Sequence, residues 1–231
     1  MLSLSGKKKG GSNTEKLYED AQIIVCVKPP FVSSQLTADG NDMVTLLREE
    51  TGGEIFPVHR LDSLTTGLMV YAKTQKAAAF LSAEITGGRF EKEYTAEVHG
   101  RPAEDKGRYE DLLYRDAKKN KSFTVKRERK GVKKAVLEYE VLDTRETPDG
   151  VFSTVKIRLL TGRTHQIRAQ FSSRGMPVAG DGKYGSHLNR KAIALTSSFL
   201  SFRHPDSGER MSFTLDTEKK DGEKNDQDTA R

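Results

Sequence analysis

The chain has 231 residues, 35% hydrophobic and 31% charged, which suits one soluble globular domain or one domain of two lobes. No run is long enough for a membrane-spanning helix, and the single cysteine, Cys26, excludes an intrachain disulfide and a cysteine-rich metal site. The net charge of +6 points toward an anionic partner.

In chain order, residues 1–16, "MLSLSGKKKGGSNTEK", read as a flexible basic start without the apolar segment of a secretory signal, so a cytoplasmic location is expected. "AQIIVCVKPP" predicts a short buried strand stopped by Pro29 and Pro30, with Cys26 as a core residue. "DMVTLLREETGG" predicts a helix ending at Gly52 and Gly53. "GLMVYAK" predicts a strand, after which Thr74 offers an N-cap to a helix over "QKAAAFLSAEI", closed by Gly87 and Gly88. In "FEKEYTAEVHG" the alternation puts Phe90, Lys92, Tyr94, Ala96 and Val98 on one face of a half-buried strand.

Residues 115–134, "RDAKKNKSFTVKRERKGVKK", hold ten Lys or Arg against two acidic residues. Phe123 and Val125 within them suggest an ordered strand that displays the charge, either to solvent or to a polyanion. "AVLEYEVL" and "VFSTVKIRLL" predict two strands around the turn "TRETPDG". "THQIRAQFSSRG" predicts a helix with Thr164 as N-cap and Gly175 at its end, and "AIAL" and "SFTL" predict late strands. Residues 216–231 read as a disordered tail around a folded unit at 17–215. Strands outnumber helices and are joined mostly by turns. The predicted class is α+β, with a mixed, mainly antiparallel sheet and flanking helices.

The five histidines show no metal-ligand spacing, and "GDGKYG" fits no phosphate-loop or dinucleotide fingerprint, so neither metal nor cofactor is expected. No Ser or Cys nucleophile sits in a recognisable elbow. Asp62, in "HRLDSLTTGLMVYAK", is left as a reactive carboxylate or as an ordinary turn residue. A carboxylate acting as nucleophile needs a cation beside it, and Arg60, Arg163 and Arg168 are the candidates. A glycosidase or nucleoside hydrolase would need a second carboxylate in a motif, and none is visible.

"HRLDSLTTGLMVYAK" resembles the first signature of the RluA-type pseudouridine synthases, and "FEKEYTAEVHG" resembles their second motif, with Tyr94 at the motif tyrosine. "LLTGRTHQIRAQFSSRGMPVAGDGKYG" is similar to the third, with Arg168 as its basic residue, and "SFLSFRHPDSGE" to the closing strand and turn. The four stand in family order and cover most of residues 17–215. The chain departs from the family pattern at Leu195-Thr196-Ser197 and in "KPPFVSSQ", and no S4-like domain is expected in it.

The resemblance implies that 17–215 form a catalytic domain that isomerises uridine in RNA to pseudouridine without a cofactor. Asp62 would attack the ribose or assist a glycal route, Tyr94 would stack on the freed uracil and take the C5 proton, and Arg168 would hold Asp62 aimed. Arg60 would fill the space of a flipped base. His59, Arg163, His165 and the lysines Lys118, Lys119 and Lys121 are expected to face substrate, with His165 either touching phosphate or bracing its loop. The expected partner is rRNA or tRNA, bound by a monomer. The rival reading is an RNA-binding or ribosome-assembly module of the same fold that has lost catalysis.

Overall fold

The computed structural model describes residues 14–216. Much of the expected flexible start, and nearly all of the expected tail, lies outside them. Thr14 donates its amide to Glu50 Oε1 (2.7 Å) and Lys16 already opens the first strand, so Thr14 and Lys16 belong to the folded unit.

The first strands are β1 (Lys16–Glu19) and β2 (Ile23–Lys28), followed by helix α1 (Met43–Thr51) and the short β3 (Phe56–Pro57). Next come β4 (Thr66–Ala72), α2 (Gln75–Thr86), β5 (Glu91–His99), β6 (Lys106–Asp116) and β7 (Lys121–Val125). The chain closes with β8 (Val132–Thr147), β9 (Gly150–Leu159), α3 (Gln166–Ser172), a 3-10 turn (Gly182–Tyr184), β10 (Leu195–Arg203) and β11 (Arg210–Thr214). Capping chemistry explains two helices. Asp42 accepts the Thr45 amide (2.8 Å) at the start of α1, which ends on left-handed Gly52, and Thr74 accepts the Ala77 amide (3.1 Å) at the start of α2.

All eleven strands form one sheet in the order β1-β2-β4-β10-β5-β9-β8-β6-β7, with β3 beside β4 and β11 beside β10. The named pairs are antiparallel except β10 with β4, which run parallel where Thr196 faces Thr66 and Ser197 faces Gly67. The fold class is therefore α+β with a mainly antiparallel sheet. In β2 and β4 the apolar run is continuous because both faces are covered. Ile24, Cys26, Met69 and Tyr71 join a core with α1, α3 and Tyr94, whereas Ile23, Val25, Leu68 and Val70 join a second core with Ala77 and Leu81 of α2.

Several expectations are corrected. Phe90 does not share the Tyr94 core; it stacks on Phe202 (5.4 Å between centroids) in the second core, because β5 begins only at Glu91. The strands β8 and β9 run through "TRETPDG" and leave only Pro148 and Asp149 to turn between them. β10 starts at Leu195, so most of "AIAL" precedes it. Thr164 is not the cap of α3. That position belongs to His165, in the left-handed region at φ 53° and without a side-chain capping bond, and the helix stops at Ser172, short of Gly175.

Candidate active site

Asp62 lies on the loop between β3 and β4, and the backbone around it is pinned on both sides. Ser34 donates its hydroxyl to the Leu61 carbonyl (3.0 Å), and the Thr65 amide donates to the carbonyl of Asp62 itself (3.0 Å). The Ser63 carbonyl accepts from the Phe31 amide (2.7 Å) and from Lys28 Nζ (3.1 Å). Lys28 is fully buried and also donates to the carbonyls of Pro29 (2.8 Å) and Val32 (2.9 Å). Burial lowers its ammonium to about 8, with the charge of Asp62 pulling the other way.

Backbone fixation leaves the Asp62 carboxylate facing a cavity of about 470 Å³ whose wall includes Arg60, Tyr94, Arg163, His165, Arg168 and Leu195. Arg168 Nη1 is 3.4 Å from Asp62 Oδ2, and His165 Nε2 is 3.7 Å from the same oxygen. The other face of the guanidinium fork is spent on Asp181: Nε donates to Oδ2 (2.6 Å) and Nη2 to Oδ1 (2.9 Å). Arg168 and Asp181 are both buried, and the Tyr184 ring lies 4.9 Å from the guanidinium carbon. Burial opposes the arginine's charge, but the Asp181 hydrogen bonds and the nearby carboxylates outweigh it and hold its proton more tightly than usual.

Tyr94 projects from β5 into the same cavity with its ring buried. Burial first, and the negative charge of Asp62 second, push its phenol well above the ordinary tyrosine value. His165 is also buried, which lowers its imidazole despite the opposing pull of Asp62. Its Nδ1 lies 3.0 Å from the Tyr184 hydroxyl.

The remaining candidates divide. Arg60 is exposed at the cavity wall. Arg163 is half-buried at the cavity wall and anchored by Nε to the Lys134 carbonyl (2.9 Å). His59 is buried in the cavity wall and accepts the Val70 amide on Nε2 (3.1 Å), so one of its nitrogens serves the backbone of β4. Lys118 and Lys119 are exposed on the turn from β6 to β7, outside the cavity wall. Lys121 is half-buried, with Nζ 4.7 Å from the Tyr184 ring centroid and 2.5 Å from the Lys183 carbonyl.

Asp181, Tyr184 and Lys28 are the residues that the sequence reading did not find. "GDGKYG" lies in the stretch that resembles the third motif, but its Asp and Tyr gain meaning only through Arg168 and His165. The signal for Lys28 was a lone cation inside an apolar strand. Of the other carboxylates near Asp62, Asp181 is locked by Arg168, and Glu91, at the cavity wall, is paired with Arg210 (2.5 Å). Among the described residues no group of three or more His, Cys, Asp or Glu is placed to hold a metal. Nor is any helix among them long and apolar enough to cross a membrane.

The description of the RNA pseudouridylate synthase family matches residues 22–173. The chain belongs to this family. It is 38% identical over 208 residues to the protein named Uncharacterized RNA pseudouridine synthase YlyB of Bacillus subtilis, covering 85% of this chain and 66% of that one. It is 32% identical over 213 residues to the Dual-specificity RNA pseudouridine synthase RluA of Yersinia pestis, covering 87% of this chain and 98% of the relative. The solved structure of Human RNA Pseudouridylate Synthase Domain Containing 1 has the same fold, with a TM-score of 0.75 at 23% identity, over 91% of this chain and 86% of that one. Family members are isomerases that act on RNA, and the family match stops before Asp181 and Tyr184.

Proposed function

We propose that this chain isomerises a uridine in folded ribosomal or transfer RNA to pseudouridine, with Asp62 as the reacting carboxylate. The observation that carries this reading is the meeting of Asp62, Tyr94 and Arg168 in one cavity, with Arg168 held from behind by Asp181. A binding module has no need of a partly buried carboxylate in the pocket of an anionic ligand. A hydrolase needs a second free carboxylate, and both Asp181 and Glu91 are engaged.

The reaction breaks the N1–C1′ bond, turns the uracil and joins C5 to C1′. C5 loses a proton and N1 ends with one, so nothing is oxidised and no cofactor is required. The uridine must leave its stack, at a cost of a few kcal/mol. Arg60, exposed at the cavity wall, is positioned to occupy the vacated space, where its planar cation can stack. Asp62 then attacks C1′ or removes the C2′ proton, and either route uses the oxygen that faces Arg168. Tyr94 stacks on the detached ring; its phenol first gives its proton to water, and the phenolate then receives the C5 proton. His59, Arg163 and His165 complete the wall around the nucleotide, while Lys118 and Lys119 meet the phosphates of the surrounding RNA and Lys121 is held against Tyr184. The protein acts as a cytoplasmic monomer.

The test is pseudouridine mapping in RNA from cells with the native protein and with Asp62→Asn. Loss of a discrete set of modified sites, with RNA binding retained in the variant, is expected. An unchanged map overturns the reading.

A further inference from the structure

Tyr184 lies outside the cavity wall, yet its hydroxyl stands at a junction of two elements. On one side is Ser122 of β7, whose amide donates to that hydroxyl (2.8 Å) and whose carbonyl lies 3.2 Å from it. On the other is His165 Nδ1, at 3.0 Å. A phenol has a single proton to donate, so the hydroxyl can serve the Ser122 carbonyl or the imidazole, but not both at once. The opposite edge of the imidazole favours donation to the imidazole. His165 Nε2 faces Asp62 Oδ2 at 3.7 Å, and a nitrogen lone pair pointed at a carboxylate oxygen is repelled, whereas an N–H is attracted. The shorter contact then completes the chain: Tyr184 O–H donates to Nδ1, and Nε2 carries the hydrogen toward Asp62.

We propose that Tyr184 is a positioning residue for the isomerisation, fixing His165 as the Nε2–H tautomer so that a neutral donor, beside the cation of Arg168, faces the reacting oxygen of Asp62. The assignment rests on the proposed reaction at Asp62 and extends it to a residue beyond the family match.

The surroundings of Tyr184 fit such a role. The buried ring is in contact with Arg168, 4.9 Å from its centroid, and Lys121 Nζ, at 4.7 Å, so the hydroxyl has little freedom to swing. The backbone of His165 is held in the left-handed region at φ 53°, which an L-residue keeps only when its neighbours enforce it. Ser122 supplies part of that enforcement by donating its hydroxyl to the Thr164 carbonyl (2.6 Å). The same 3-10 turn therefore serves both partners of Asp62: Asp181, just before it, aims Arg168, and Tyr184, at its end, aims His165. A neutral His165 also leaves Asp62 with one cation rather than two, so its charge is guided without being buried under a second ion pair.

The experiment has two readouts. The nitrogen chemical shifts of His165 in the RNA-free protein report its tautomer directly. The Nε2–H form is expected in the native protein, and a mixture with the Nδ1–H form in Tyr184→Phe, which keeps the ring and deletes only the hydroxyl. Turnover of the variant on RNA should fall about tenfold in kcat with KM unchanged, the scale of losing one orienting hydrogen bond. An Nδ1–H tautomer in the native protein overturns the proposal, as does a Tyr184→Phe variant with native kcat. A native protein that forms no pseudouridine refutes the proposed function instead, and the tautomer measurement still decides the role of Tyr184.

Discussion

Gly67 and Ser197 touch across the parallel junction of β4 and β10 so closely that no side chain fits between them. A Cβ on Gly67 would lie 2.3 Å from the Ser197 carbonyl oxygen and 2.6 Å from its nitrogen, and Gly67 holds a φ of 115°. Ser197 also faces Tyr94 across β10 and β5, so this contact sets the Asp62 loop against the tyrosine strand. Gly67→Ala must displace backbone and enter a disfavoured conformation, a combined loss of about 2–5 kcal/mol. Urea unfolding checks it through the midpoint, and an unmoved midpoint with native turnover contradicts the role given to this contact.

Asp181→Asn keeps the size of the side chain but removes the charge that two nitrogens of Arg168 address. Breaking a buried pair from one side costs about 3–5 kcal/mol, because the other charge stays behind. Stability should fall on that scale and turnover with it, since Arg168 is then free to lean on Asp62. Arg168→Lys should fail as well, because one ammonium cannot span two carboxylates. Thermal melting separates the outcomes. A fully stable Asp181→Asn protein would mean that the fork contributes little.

The parts of this arrangement that were legible in the sequence are those written in local chemistry. Thr74 and Gly52 announce helix ends by capping, and the apolar runs of β2 and β4 announce strands covered on both faces. β6 was missed because Leu113 is its one fully buried residue, so its charged alternation reads as surface. The ends of α3 were not legible, because His165 takes a left-handed backbone in place of a Thr164 cap and the helix stops at Ser172, short of Gly175. Asp62, Tyr94 and Arg168 were named through motif resemblance. Asp181, Tyr184 and Lys28 act through contacts that no local pattern encodes: Lys28 meets Ser63 from 35 positions away and Tyr184 meets Ser122 from 62.

Lys28 makes stability depend on pH in a direction opposite to that of a surface lysine gaining a partner. Its folded value is lowered to about 8 from an ordinary 10.5, so between those values the unfolded chain binds the proton more strongly. Protonation therefore favours the unfolded state, and stability rises with pH across that window. The stability of the native protein minus that of Lys28→Met should accordingly increase from pH 8 toward 10.5. A flat or falling difference in urea midpoints contradicts the lowered value.

The hairpin lysines should not behave alike. Lys118 and Lys119 are exposed, whereas Lys121 is committed to Tyr184 and the Lys183 carbonyl. Replacing Lys118 and Lys119 by Gln should weaken RNA binding and reduce the slope of log K against log salt by about one for each lysine that meets phosphate. Lys121→Gln should cost turnover more than salt slope. Filter binding across a salt series gives the answer, and an unaltered slope in the double variant places the hairpin away from RNA.

Tyr94→Phe separates stacking from proton transfer. No hydrogen bond engages the Tyr94 hydroxyl among the described residues, so its removal leaves no buried partner unsatisfied and stability should hold. The phenol is held protonated by burial and by the charge of Asp62, which makes it a poor base in the free protein. If Asp62 attacks C1′, its charge is cancelled in the ester, and one of the two influences raising the phenol is lifted when a base is needed. On that account Tyr94→Phe should bind RNA normally and lose about 10²–10⁴ in kcat, the range for a positioned general base. RNA carrying deuterium at uracil C5 sharpens the test, because the variant should show a larger isotope effect as proton removal becomes limiting. Native kcat in Tyr94→Phe would leave the tyrosine as a stacking surface and assign the proton to another acceptor.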